Sequence, residues 1–115
     1  MQLQEMEKTA SKVSALLKLL SHRDRLMVLC HLAQGEMAAG DLAEALDRKA
    51  PAMSQQLAVL RREGIIEARR DGQSIFYRIV DEDAVAIMEF LYHRFCGDEA
   101  QGPLVASLAE EGAGS

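Results

Sequence analysis

Long apolar runs are missing from this chain. Although 49% of its 115 residues are hydrophobic, no stretch approaches the roughly 18 apolar residues needed to span a bilayer. The N-terminal MQLQEMEKTASKVSALLKLL also lacks the uninterrupted apolar core of a secretory signal, because charges of both signs break it. A cytoplasmic protein with no membrane partner is expected. Cysteine is scarce, with only Cys30 and Cys96. Without an export signal a structural disulfide is not expected, and both thiols should be reduced at rest. Also missing are a phosphate-cradling Gly loop, a nucleophile–base–acid set and paired carboxylates on a shared face, which excludes an enzyme. No internal repeat or linker divides the chain. Residues 1–97 therefore read as one domain, and the acidic, Gly- and Ala-rich residues 98–115 as a mobile or briefly helical tail.

Positive charge is in the minority overall, with a net charge of −5 and a pI near 5.1, yet it is concentrated. Seven of the thirteen basic residues are Arg48, Lys49, Arg61, Arg62, Arg69, Arg70 and Arg78. Residues 48–78 carry seven positive and three negative side chains, a net of +4.

Apolar positions at three- and four-residue steps predict a helix over Leu3–Leu20, and a second from an N-cap at Ser21 to a breaker at Gly35. His22 reads as a surface or cap residue. A short third helix spans GDLAEAL, and a fourth starts near Pro51 and stops at Gly64. The period then changes. IIEAR, a DG turn at Asp71-Gly72 and SIFYRIV predict a β-hairpin, and DEDAVAIMEFLYHRFC returns to helical spacing. Tyr77, Phe76 and Phe95 read as packing residues.

Helix, tight turn, helix and basic hairpin is the order of a winged helix-turn-helix, mainly α with a β-hairpin wing. In that fold the second helix of the motif enters the major groove and the wing reaches the flanking backbone. An acidic protein that binds the dense phosphate line of double-stranded DNA must gather its positive charge on the docking face. Lys49 is the expected phosphate contact ahead of the fourth helix. Ser54, Gln55 and Gln56, opposite Met53, Leu57 and Leu60, suit base edges and phosphate. Arg69, Arg70 and Gln73 are the expected contacts from the wing. Arg61, Arg62 and Arg78 serve the surface or local ion pairs. The alternatives are an ordinary solvated charged surface and a winged helix that binds protein instead of DNA.

The segments KLLSHRDRLMVLCHL, GDLAEAL, SQQLAVLRREGII and DGQSIFYRI resemble the ArsR/SmtB family of small dimeric bacterial repressors over about residues 10–97. Gln56 stands where that family often has His. The resemblance implies a homodimer through the first and fifth helices. It also allows the family's metal sites to be laid over this chain. In the third helix Ala38 and Gly40 replace the family's cysteines; in the fifth, a family Asp matches Asp81, but its three partner positions fall on Asp83, Arg94 and Gly97, of which Asp83 alone can coordinate. No metal or cofactor is expected at either site.

Cys30 and Cys96 remain. Their places resemble the BigR/SqrR-type branch, which implies redox sensing: a bridge between the two thiols, formed by reactive sulfur species, that weakens DNA binding. Peroxide is an alternative inducer. A Zn(II) or Cu(I) site is another, since His93 and Cys96 have HxxC spacing and His31 adjoins Cys30. Buried packing is the plainest reading of Cys30.

Overall fold

The structure, a computed structural model, describes residues 1–97; the tail expected at 98–115 lies outside them. Helix α1 spans Leu3–Leu20, as the spacing predicts, and α2 spans Arg23–Leu32. Their junction departs from the expected capping. Ser21 turns back to α1, its Oγ donating to Lys18 O at 2.8 Å. His22 is the N-cap of α2, in extended backbone, with Nδ1 accepting from Asp24 N at 3.1 Å. This satisfies one of the backbone donors that a helix start leaves open. Helix α2 ends at Leu32, not at Gly35.

Strand β1, Met37–Ala38, was not foreseen. It leads into α3, Ala39–Leu46, and Asp47 then closes that helix in the left-handed conformation (φ 56°), which Asp tolerates better than most residues. Helix α4, Ala50–Arg62, has Pro51 in its first turn. Gly64, at φ +79°, turns the chain into β2, Ile66–Asp71, which pairs with β3, Ser74–Ile79. Asp71 faces Ser74, so the hairpin loop is Gly72-Gln73, one residue later than the DG pair suggests. Gly72 has a positive φ of 66°, as a two-residue loop with glycine in its first central position requires. Helix α5, Glu82–Cys96, opens with Asp81 Oδ2 accepting from Ala84 N at 2.8 Å.

The sheet is antiparallel in the order β1-β3-β2, so the expected hairpin is widened by one short strand. Met37 pairs with Tyr77 and Ala38 with Phe76, which fastens the base of the hairpin to the start of α3. The core lies where α2, α3, α4 and the sheet base converge: Val28, Leu29, Leu42, Met53, Leu57, Leu60 and Ile66 are buried. Each such side chain contributes roughly 1.5–3 kcal/mol by leaving water. Helix α1 buries only Leu20 fully, with Leu16 and Leu19 packed against the core. Phe95, expected to pack, is 79% exposed, and Leu3 and Phe90 are also exposed. No helix among the described residues is long and apolar enough to cross a membrane.

Candidate nucleic-acid interface and cysteine pair

Helices α3 and α4, joined across Asp47–Lys49, form the helix-turn-helix, and β2 with β3 form the wing. Helix α4 buries Met53, Leu57 and Leu60 against the core, which leaves Ser54 and Gln55 on its exposed side. Gln56 differs from the expectation. It is half-buried, and its Oε1 accepts from Arg25 of α2 at 2.9 Å. The cause is periodic: Gln56 follows Met53 by three positions and precedes Leu60 by four, so it borders the buried stripe. Arg25 was not foreseen as a functional residue. Neither were Asp24 and Glu36, which hold two of the arginines of the basic segment.

Those arginines are not equally available. Arg48 Nε donates to Asp24 Oδ2 at 2.9 Å, a pair whose carboxylate is mostly buried. Arg69 grips Glu36 with two bonds, Nε to Oε2 at 2.9 Å and one terminal nitrogen to Oε1 at 2.7 Å. Its guanidinium also sits 4.7 Å from the centroid of the Phe76 ring. The hydrogen bond from Arg69 holds the Glu36 carboxyl below its ordinary range. Arg78 is tied to Glu67 at 2.7 Å, and Arg62 lies 3.9 Å from Glu63. By contrast, Lys49, Arg61 and Arg70 are exposed and form no ion pair or side-chain hydrogen bond among the described residues. Gln73 occupies the wing tip, also exposed.

Cys30 and Cys96 are both free thiols, the first half-buried on α2 and the second exposed at the last position of α5. Burial pushes the Cys30 thiol above its ordinary pKa, and negative charge on Cys96 adds a smaller push in the same direction. His93 meets the neighbouring Tyr92 ring edge-on, 5.9 Å between centroids. Among the described residues no three His, Cys, Asp or Glu side chains gather so as to hold a metal ion.

Comparison with known proteins gives a consistent result. Residues 22–68 match the family model described as bacterial regulatory protein, arsR family. The biofilm growth-associated repressor of Agrobacterium fabrum is 49% identical over 94 residues, covering 82% of this chain and 80% of that protein. The crystal structure of the transcriptional repressor BigR from Xylella fastidiosa superposes with a TM-score of 0.80 at 44% identity, covering 85% of this chain and all of that one. The homodimeric winged helix-turn-helix DNA-binding domain from Mycobacterium bovis gives a TM-score of 0.66 at 32% identity, covering 78% of this chain and 83% of that one.

Proposed function

The chain belongs to the arsR family of bacterial regulatory proteins and is a transcriptional repressor of that family; we propose that its switch is the Cys30–Cys96 pair and its inducer reactive sulfur species. The observation that carries this reading is the pair of free cysteines, Cys30 on α2 and Cys96 at the last position of α5, the second of them open to solvent. On DNA, Ser54 and Gln55 face base edges, Lys49, Arg61 and Arg70 face phosphates, and Gln73 at the tip of a wing braced by Arg69 reaches the flanking backbone.

The operator-binding form is a homodimer through α1 and α5. An 18-residue helix with one buried side chain needs a second surface to hold it. Exposed Leu3, Met6 and Leu17 on α1 and Phe90 and Phe95 on α5 supply an apolar face for a second copy.

In the proposed reaction each thiolate attacks the outer sulfur of an organic persulfide, RSSH. This leaves a persulfide on each cysteine and releases two RSH. The terminal sulfur of one protein persulfide then attacks the inner sulfur of the other and displaces HS⁻. The product is a trisulfide between Cys30 and Cys96, and the sulfane sulfur of the persulfide has accepted the electrons. A plain disulfide needs Cα atoms within about 7 Å, and each inserted sulfur extends the reach by about 2 Å. Covalent linkage of α2 to α5 weakens operator binding on the order of 5- to 150-fold, the usual range of coupling between sites.

Intact-mass spectrometry of persulfide-treated protein, run beside a DNA-binding titration, tests this. The expected product is heavier by the inserted sulfur, contains no free thiol and has lost operator affinity; Cys96→Ser binds DNA and is not released. DNA release with both thiols still unlinked would sink the reading. A linked product at the mass of a plain disulfide after peroxide would point to peroxide as the inducer.

A further inference from the structure

Arg25 joins three helices. From α2 its Nε donates to Leu19 O at 2.8 Å, and a terminal nitrogen lies 3.5 Å from Lys18 O, both carbonyls in the last turn of α1. The other terminal nitrogen donates to Gln56 Oε1 on α4 at 2.9 Å. The preceding residue, Asp24, holds Arg48 just ahead of α4. The first turn of α2 therefore holds the DNA-facing helix at Gln56 and the turn that leads into it at Arg48. Cys30 lies on the same helix, α2.

The chemistry of Gln56 is informative. A glutamine reads adenine with both ends of its amide, the carbonyl accepting from the N6 amino group and the amide donating to N7. With Oε1 accepting from Arg25, one of its two lone pairs is spent and the amide is held towards α2. The guanidinium is a rigid planar fork, so it transmits a displacement better than a flexible ammonium would. Packed helices move as units between discrete arrangements, and a hydrogen bond between two of them makes one follow the other.

We propose that the Arg25–Gln56 bridge couples α2, which carries the sensing Cys30, to the orientation of α4 on DNA, and that Gln56 acts as a positioning residue and reads no base. This rests on the thiol-switched repressor reading above. Linking Cys30 to Cys96 displaces α2; Arg25 carries that displacement to Gln56, and α4 loses its fit in the groove.

The test uses the full chain and an operator selected by the reduced wild-type protein from a random duplex library. Operator affinity is measured before and after treatment with an organic persulfide, for wild type, Gln56→Ala, Arg25→Ala, the double variant and Gln56→Glu. Both alanine variants should shrink the ratio of reduced to treated affinity by about 2- to 30-fold, the range found for residues that modulate coupling. The double variant should shrink it no further than the more severe single one, because the two side chains form one interaction. Gln56→Glu should retain the ratio, since its carboxylate still accepts from Arg25. Base preference at every operator position should be the same for Gln56→Ala as for wild type. Relaxed preference at an adenine in Gln56→Ala would overturn the proposal, as would an unchanged ratio in both single variants or additive effects in the double one. Arg25→Ala frees two α1 carbonyls and risks misfolding; Gln56→Ala does not, and it carries the test alone if the other fails to melt cooperatively. Failure of wild type to select DNA, or to release it on treatment, overturns the repressor reading and the bridge with it. Failure confined to the variants overturns only the bridge.

Discussion

Helix α4 and the wing carry similar numbers of basic residues and dispose of them differently. Around α4, Arg48 is held by Asp24 and Arg62 lies 3.9 Å from Glu63, but Lys49 and Arg61 have no carboxylate partner among the described residues. In the wing, Arg69 and Arg78 are each bound to a glutamate, and only Arg70 is unpartnered. A guanidinium with its donors committed to a carboxylate must break those bonds before it can meet a phosphate, and charge-assisted pairs of this geometry are the stronger kind. Wing arginines 69 and 78 thus act first as braces. Arg69 is clamped from both sides, by Glu36 ahead of β1 and by the Phe76 ring on β3. A local excess of positive charge overstates the number of phosphate contacts.

The largest effect should come from removing the unpartnered cations together. Each phosphate contact contributes about 0.9 to the slope of log affinity against log salt. The triple substitution of Lys49, Arg61 and Arg70 by Ala removes three contacts from each subunit of the dimer, so it should make that slope shallower by about five and weaken binding across all sequences. The pair Arg69→Ala and Arg78→Ala should change the slope by less than about one. Fluorescence anisotropy titrations at several salt concentrations decide it; equal slope changes per residue would erase the distinction between the two regions.

Why the sequence revealed the first half of this comparison and not the second is a matter of range. Helix α1, the fourth helix after Pro51 and the hairpin arise from local periodicity, which a single chain displays openly. Strand β1 has two residues, too few for any period to register. The Arg69–Glu36 brace joins positions 33 apart in sequence, and only the pairing of β1 with β3 brings them together. Ser21 is a better N-cap by type than His22, but its hydroxyl was already serving α1. Gln56 was within reach: counting from Met53 and Leu60 places it beside the buried stripe, although the arginine that binds it comes from another helix. The pairing of Cys30 with Cys96 could not follow from spacing and was implied only by the family resemblance.

A smaller effect is expected when the brace is cut on its acidic side. Glu36→Gln removes the charge that holds Arg69, so Arg69 can turn to phosphate in each subunit and the salt slope should steepen by up to about two. The same pair predicts a pH dependence. Because the folded-state pKa of Glu36 is lowered, mainly by the bond from Arg69, the stabilisation it gives is fully present above the unfolded carboxylate pKa. It is lost as pH falls through the lowered value. The brace is therefore intact near neutrality and opens only in acid. Carboxyl NMR titration should show Glu36 moving up towards its ordinary range in Arg69→Ala; no movement would mean that Arg69 does not hold it.

The smallest effect isolates the ring. Phe76→Leu keeps an apolar side chain opposite Arg69 on the paired strand but removes the π face beneath the guanidinium. A cation–π contact at an exposed site contributes about 0.5–1 kcal/mol, and urea unfolding should register a loss of that size. The salt slope should stay where it is, because the Glu36 bonds still commit the Arg69 donors. If the slope instead rises as far as in Glu36→Gln, the ring and not the carboxylate restrains the arginine. The wing would then differ from α4 through an aromatic contact and not through paired charge.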